Sequence, residues 1–203
     1  MKKLPVSFYQ RENVFQMAKE LLGKVVVTKW NDVVTSGRIV EVEAYNGVID
    51  RASHAFGGRK TARNEVMYAE GGVAYVYLCY GIHHLFNVVT NAEEYPHAIL
   101  IRALEPIKGI NEMLRRVGKE KLDHTLTRGP GNLSKALGIL TSHSGYSLRS
   151  KELFIADDKV AYNRKEIIAS PRIGVDYAGK DALLQYRFYI KGSPFVSGRL
   201  INQ

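Results

Sequence analysis

The segment 38–45, which reads RIVEVEAY, alternates apolar and polar residues in the way typical of a β-strand. Because successive side chains of a strand point to opposite faces, one face is predicted to be apolar and the other to carry two carboxylates. Acidic residues are depleted in strands and are rarely buried without a partner. The acidic face is therefore either a solvated outer surface or a functional one. The core face is Val40, Val42 and Ala44, and the acidic face is Ile39, Glu41, Glu43 and Tyr45.

The surplus of positive charge indicates a polyanionic partner. The 203 residues include 29 Lys and Arg against 20 Asp and Glu, a formal net charge of +9, which favours nucleic acid first and an anionic membrane surface second. The length suits one domain, 1–203. The single cysteine, Cys79, excludes an internal disulfide and indicates a reducing compartment. The N-terminus lacks the apolar region of a signal peptide and no apolar run reaches about 18 residues, so we expect a cytoplasmic protein.

Periodicity and turn residues predict alternating strands and short helices after an irregular lead-in at 1–12. Two closely spaced strands, 73–80 and 84–90, predict a hairpin with Tyr80 and Gly81 at or near its tip. No repeat, low-complexity segment or linker divides the chain. The other predicted strands are 24–29, 33–45, 98–104, 152–156 and 187–191, and the predicted helices are 14–22, 63–68, 107–117 and a short one after 132.

One charged residue, Arg102, interrupts the apolar strand 98–104. An arginine in such a run is either at a sheet edge or paired with a carboxylate, since arginine is rarely buried alone. The candidate partners are Glu41 and Glu43. A core ion pair with no chemical role also remains open.

Four tyrosines form a candidate stacking surface. Aromatic rings stack on nucleic-acid bases at about 1–3 kcal/mol per base, and an aromatic residue at a hairpin tip can wedge between base pairs. The alternative is that these residues simply pack within the strands, where tyrosine is common. The four are Tyr45, Tyr75, Tyr77 and Tyr80.

Two glycine-containing segments are candidate contacts to a phosphate backbone. In the first, two glycines at 57–58 precede Arg59 and Lys60, which would let a phosphate approach closely; a glycine-rich surface loop is the alternative. The second, 128–132, precedes a predicted helix and includes Arg128, Gly129 and Asn132. Helix N-termini bind phosphates, but this segment lacks the spacing of a nucleotide P-loop, and an ordinary helix-entry turn is an equal alternative.

Several enzyme classes are excluded by the motifs that they require. The sequence contains no G-x-S-x-G nucleophile elbow, no H-E-x-x-H, no paired C-x-x-C and no zinc deaminase signature. It also has no G-x-G-x-x-G after a strand, so a dinucleotide cofactor is not expected. We therefore predict no metal and no cofactor.

Taken together, the motifs resemble those of the methylpurine (3-methyladenine or alkyladenine) DNA glycosylase family. The resemblance extends over nearly the whole chain in eight ordered blocks and implies a single compact α+β domain, built around a curved antiparallel β-sheet with a protruding β-hairpin and flanking helices. The blocks are RIVEVEAY at 38–45, His54 with GGR at 57–59, YVYLCYG at 75–81, Asn87, ILIRALEP at 99–106, RGPGNLSKAL at 128–137, RIGV at 172–175 and RFYIKGSPFVS at 187–197.

The resemblance also implies a role for each matching position. Glu43 would be the general base that activates water, and Arg102 and the main-chain carbonyl of Ile173 would hold that water. Asn87 would press against the purine edge, and Tyr80 would fill the gap left in the duplex. The residues that line the pocket around the flipped base would be Tyr45, His54 and Tyr77.

The expected activity is hydrolysis of the N-glycosidic bond of alkylated or deaminated purines in double-stranded DNA: 3-methyladenine, 7-methylguanine, hypoxanthine and ethenoadenine. A flipped base is within reach of a catalytic group, at a cost of a few kcal/mol. Because no lysine stands in a recognisable Schiff-base position, we expect an abasic product without strand cleavage, from a monomer that needs no protein partner. Two alternatives remain: a non-catalytic, basic nucleic-acid-binding module, and a hydrolase of small purine nucleosides.

Overall fold

The computed structural model describes residues 1–198, and within that range the strands form one nine-stranded sheet whose pairings are all antiparallel. The strands are β1 (Lys2–Lys3), β2 (Val25–Trp30), β3 (Val33–Tyr45), β4 (Ala74–Cys79), β5 (His83–Thr90), β6 (His97–Lys108), β7 (Leu153–Asp157), β8 (Ile167–Ser170) and β9 (Arg187–Ile190). The helices are α1 (Val6–Tyr9), α2 (Val14–Leu21), α3 (Ile110–Val117) and α4 (Pro130–Leu137). The predicted α+β class, with an antiparallel sheet in a single compact domain, is confirmed.

Strand β3 is the centre of the sheet. One of its edges pairs with β6 along most of its length, while the other pairs with β2 near its start and with β9 at 41–43. The main order is β1-β7-β2-β3-β6-β5-β4, and β8 pairs with β9. Irregular register between β3 and β6 near Glu41 is typical of β-bulges, which bend a strand and redirect its side chains. The second half of β3 is therefore enclosed by neighbouring strands on both edges.

The main core packs the helices against this sheet. Helix α2 lies on β3 and β6, and α4 lies on β5 and β6. Asn13 caps α2 as predicted, because its side-chain oxygen accepts a hydrogen bond of 2.9 Å from the Gln16 amide. The buried stripe of α2 consists of Val14, Met17, Ala18 and Leu21.

The predicted hairpin is confirmed. Cys79 pairs with His83 across β4 and β5, so Tyr80, Gly81 and Ile82 form the turn. Tyr80 and Gly81 both have positive φ angles, 51° and 73°. The side chain of Tyr80 projects into solvent with 88% of its surface exposed.

Several predicted segments are wrong in their bounds. The helix predicted at 63–68 is a 3-10 helix at Glu65–Tyr68, and the strand predicted at 98–104 extends over His97–Lys108. The helix predicted over 107–117 begins only at Ile110, because the left-handed φ of 76° at Gly109 is incompatible with a right-handed helix. Ile107 belongs to β6. A side chain at Gly109 would also meet the Val34 carbonyl oxygen. The lead-in at 1–12 is not irregular throughout, since it includes β1 and α1. No helix within 1–198 has both the length and the apolar character that crossing a bilayer demands.

We predict that Asn13→Ala lowers the free energy of unfolding by about 1 kcal/mol, because the N-terminal amides of α2 lose their side-chain acceptor. Asn13→Asp keeps the acceptor and is expected to unfold at the wild-type urea concentration. Urea unfolding of the three proteins measures the difference. Identical midpoints for the alanine variant and the wild type would contradict the capping role.

Candidate active site

Both carboxylates of β3 are buried. Glu41 and Glu43 are each 0% exposed, so the interpretation of the acidic face as a solvated outer surface is wrong. The segments that follow β8 and β9 contact this face, since the Ile173 amide donates to Glu43 and the Ser197 amide donates to Glu41. Buried carboxylates require hydrogen-bonding or charged partners, and the neighbouring strands and loops supply them.

Three donors surround Glu43. The Ile173 amide donates to Oε1 over 2.8 Å, and the Tyr45 hydroxyl donates to Oε2 over 2.9 Å. The Nη1 atom of Arg102 lies 3.3 Å from Oε1. Both oxygens of Glu43 therefore act as hydrogen-bond acceptors.

Arg102 is not at a sheet edge, because β6 lies between β3 and β5. Its guanidinium contacts both candidate carboxylates: Nε donates to Glu41 over 3.0 Å, and Nη1 faces Glu43. Its Nη2 donates to the Ser197 hydroxyl over 3.2 Å. Burial lowers the pKa of Arg102, but the charges of Glu43 and Glu41 outweigh burial and raise the pKa above its usual value. The arginine is thus a permanently charged bridge between the two glutamates.

The four predicted pocket residues lie together beside Glu43. Tyr45, His54, Tyr77 and Asn87 line one small cavity of about 30 Å³. The His54 and Tyr77 rings meet edge to face, with centroids 4.6 Å apart. Asn87 donates to the Tyr75 and Leu85 carbonyls over 3.1 and 3.2 Å. A volume of this size holds one or two waters, and Tyr45, His54 and Tyr77 also line the larger cleft beside it.

Burial sets the protonation of the pocket rings. Burial, followed by the charge of Glu43, raises the pKa of Tyr45 well above its usual value. Burial also raises the pKa of Tyr77, and it raises that of Tyr75 to about 12. Burial, with smaller effects from Arg63 and Arg59, lowers the pKa of His54 to about 4. At neutral pH the pocket therefore presents neutral phenols and a neutral imidazole.

A cleft of about 850 Å³ leads from solvent to Glu43 and Arg102. Tyr80 stands at its rim, and Ile173 and Tyr77 line it. The segment 128–132 forms another part of its wall, with Pro130 as the first residue of α4 rather than part of a preceding turn. In this segment, Arg128 Nε donates to the Val196 carbonyl over 2.7 Å. Asn132 Nδ2 donates to the Thr125 and Arg128 carbonyls over 3.0 and 3.2 Å. Gly129 has a φ of 88°.

The two basic residues predicted at 59–60 lie in different surroundings. Arg59 lines a separate cavity of about 460 Å³ together with Arg51, Arg63 and His54. The Lys60 ammonium lies 2.7 Å from the Glu94 carboxylate and does not line that cavity or the cleft. Arg59 therefore lies near the candidate site, whereas the positive charge of Lys60 is paired with Glu94.

Sequence reasoning missed two residues that shape the site. Tyr177 lines the cleft and the small cavity, and its hydroxyl donates to the Ala52 carbonyl over 3.0 Å. Arg172 stacks over the Tyr45 ring at 4.7 Å and donates to Asp50. The sequence signal for both was their position next to Ile173, within or just after the RIGV block.

Among residues 1–198, no three His, Cys, Asp or Glu side chains are grouped as metal ligands.

We predict that His54 makes stability depend on pH. An unfolded histidine has a pKa of about 6.5, whereas the pKa of His54 in the folded protein is about 4. Between these values the unfolded chain binds the extra proton, so the stabilisation present above about pH 6.5 is lost as the pH falls. From pH 7.5 to pH 5 the wild type should lose about 1–2 kcal/mol more unfolding free energy than His54→Gln. Denaturant unfolding at both pH values tests this, and parallel losses in the two proteins would contradict it.

Known proteins resemble this chain over nearly its whole length. The sequence model of the family described as "Methylpurine-DNA glycosylase (MPG)" matches residues 7–194. A protein of Chlamydia felis (strain Fe/C-56) named "Putative 3-methyladenine DNA glycosylase" is 46% identical over 188 residues, which cover 92% of this chain and 95% of the relative.

Proteins of the same name from Bacillus cereus (strain AH820) and Clostridium novyi (strain NT) give similar values. The first is 46% identical, covering 95% of this chain and 98% of the relative. The second is 42% identical, covering 97% and 99%. Since both the family model and these relatives match nearly the whole sequence, the chain belongs to the methylpurine-DNA glycosylase family.

Proposed function

We propose that this chain is a monofunctional DNA glycosylase that flips alkylated or deaminated purines out of duplex DNA and hydrolyses their N-glycosidic bond with water activated by Glu43. The observation that carries the proposal is the position of Glu43. It is a buried carboxylate held by Arg102 and the Ile173 amide at the inner end of a cleft, directly beside a pocket of aromatic rings.

The pocket chemistry suits a damaged purine. An alkylated purine such as 3-methyladenine carries positive charge, and cations are attracted to the faces of tyrosine rings. Tyr45 and Tyr77 supply such rings, and the neutral His54 adds no repelling charge. Asn87, which donates to two carbonyls, would press against the purine edge and disfavour the exocyclic amine of guanine. The proposed substrates are 3-methyladenine, 7-methylguanine, hypoxanthine and ethenoadenine.

The attacking water needs space beside Glu43, because the carboxylate is fully buried although it lines the cleft. We infer that the Tyr45 hydroxyl or the Ile173 amide gives way when the base enters. Arg102 would stay beside the water and the carboxylate. The role of the Ile173 carbonyl as a second water ligand remains a prediction, alongside the amide contact present here.

The proposed DNA contacts surround the cleft mouth. Tyr80, exposed at the hairpin tip, would wedge into the stack and fill the space of the flipped nucleotide. Arg59 and the segment with Arg128, Gly129 and Asn132 would hold the phosphate backbone on either side. The chain would act on double-stranded DNA as a monomer without a metal or cofactor.

The absence of a lyase step is supported by the composition of the cleft. None of the described residues that line it is a lysine, and a Schiff base with the sugar requires an amine. The product would then be an abasic site in an intact strand.

We predict that Glu43→Gln lowers the single-turnover rate of base release from methylated or hypoxanthine-containing duplex DNA by at least about 100-fold, since a general base contributes about 10²–10⁴-fold. The Kd for the same DNA should stay near the wild-type value. Wild-type reactions should give strand breaks only after alkali treatment.

Glu105→Gln is the matched control, because Glu105 is an exposed residue of β6 that does not line the cleft. It should release bases at the wild-type rate. Tight DNA binding without base release by the wild type would instead indicate a non-catalytic binding module, and release from free nucleosides that persists at high salt would indicate a nucleoside hydrolase.

We further predict that Arg59→Ala and Lys60→Ala differ in their effect on DNA binding. Removing one side chain that binds a phosphate should reduce the slope of log K against log[salt] by about 1. Arg59→Ala should show that reduction, whereas Lys60→Ala should show less, because Glu94 already neutralises the lysine. Binding titrations over a range of salt concentrations measure both slopes. Equal reductions would show that Lys60 leaves Glu94 to bind DNA.

A further inference from the structure

A second buried carboxylate, Glu41, lies on the same strand face as Glu43 and is not used in the chemistry proposed above. Its Oε1 accepts hydrogen bonds from Arg102 Nε over 3.0 Å, Arg187 Nε over 2.7 Å and the Ser197 hydroxyl over 3.0 Å. Its Oε2 accepts from the Ser197 amide over 2.6 Å. These four hydrogen bonds hold the fully buried carboxylate of Glu41 in one orientation.

The charges in this cluster balance. Glu41 and Glu43 supply two negative charges, and Arg102 and Arg187 supply two positive ones. Removing one member of a buried ion cluster leaves an uncompensated charge, which is strongly unfavourable. The positions of the two arginines are therefore tied to the charge on Glu41.

The geometry of Arg102 shows what this achieves at Glu43. Glu41 takes the Nε edge of the guanidinium and Ser197 takes Nη2. Glu43 meets a single nitrogen, Nη1, at 3.3 Å, and does not form the two-pronged fork that binds carboxylates most strongly. A carboxylate held in such a fork is a weaker base, because its charged form is stabilised.

We propose that Glu41 is a positioning residue that, with Arg187 and Ser197, holds Arg102 away from a two-pronged pairing with Glu43 and so preserves the basicity of the catalytic carboxylate. This inference rests on the proposed glycosylase function and assigns a role within it. Glu41 acts through Arg102 and does not touch the substrate.

The acid limb of the pH–rate profile reports this effect if Glu43 is the base. Methylated DNA is the substrate of choice, because its alkylated purines already carry positive charge and leave without further protonation. The ionisable groups near Glu43 are Tyr45 of β3, Tyr77 of β4, Arg102 of β6 and, from the segment after β8, Arg172 and Tyr177. Glu41 shares its strand face, and Arg187 of β9 pairs with Glu43 in strand register but binds Glu41.

The test compares single-turnover base release across pH for the wild type and Glu41→Gln. With Glu41 neutral, Arg102 turns towards Glu43. The acid limb should then move down by about one pH unit, and the rate at neutral pH should fall about tenfold. The Kd for the DNA should not change.

A second variant protects the test against misfolding. Glu41→Gln with Arg187→Gln keeps one carboxylate and one guanidinium, so the cluster stays neutral and the fold loses less stability. It should show the same displaced acid limb. Asp158→Asn is the control, because it breaks the Arg38–Asp158 pair of 2.8 Å outside the cleft and should leave the limb in place.

The outcomes separate the two proposals. An unmoved acid limb in the folded single or double variant overturns the role of Glu41, while base release by the wild type still supports the glycosylase function. Failure of the wild type to release any base overturns the function and the inference together.

Discussion

Burying two carboxylates on one strand face is the constraint on which the rest of this structure depends. A charged group in the protein interior is tolerated only when partners compensate it. For Glu41 and Glu43 these partners come from β6, β9 and the segments that follow β8 and β9. The neighbouring strands and segments have to pack around β3 before the two carboxylates are compensated. The stability of the fold and the geometry of the candidate active site therefore depend on the same contacts.

The contacts that meet this demand are distant in sequence. Arg102 lies 61 residues from Glu41, Arg187 lies 146 residues away, and the Ile173 amide reaches Glu43 across 130 residues. Because β9 pairs with β3 only at 41–43, it delivers Arg187 to the one stretch of β3 that carries acid groups. Together with the segments that contact Glu41 and Glu43 after β8 and β9, this pairing explains why a face that would be solvated on an isolated hairpin is buried here.

The features that the sequence predicted correctly are those governed by local rules. Alternation defined β3 with its observed bounds, the short connection placed Tyr80 at the hairpin turn, and Asn13 marked the start of α2. Tertiary contacts decided the rest. The burial of both glutamates depends on β9, and the late start of α3 depends on the approach of Gly109 to Val34. The pairing of Lys60 with Glu94 joins two loops, and no periodic pattern encodes such a contact.

The difference in size between the cleft and the inner cavity bears on the proposed selectivity. The cleft has a volume of about 850 Å³, whereas the inner cavity of about 30 Å³ is smaller than a purine. Both spaces are lined by Tyr45 and Tyr177, whose hydroxyls donate to Glu43 and to the Ala52 carbonyl. In the proposed reaction, a base that enters the inner cavity would have to displace these side chains, in addition to losing its stacking, which costs a few kcal/mol. Damaged bases would lose less on leaving the helix, and cationic ones would gain more between tyrosine faces. A narrow cavity would therefore add a threshold that an undamaged base, with the largest loss and the smallest gain, is least able to cross.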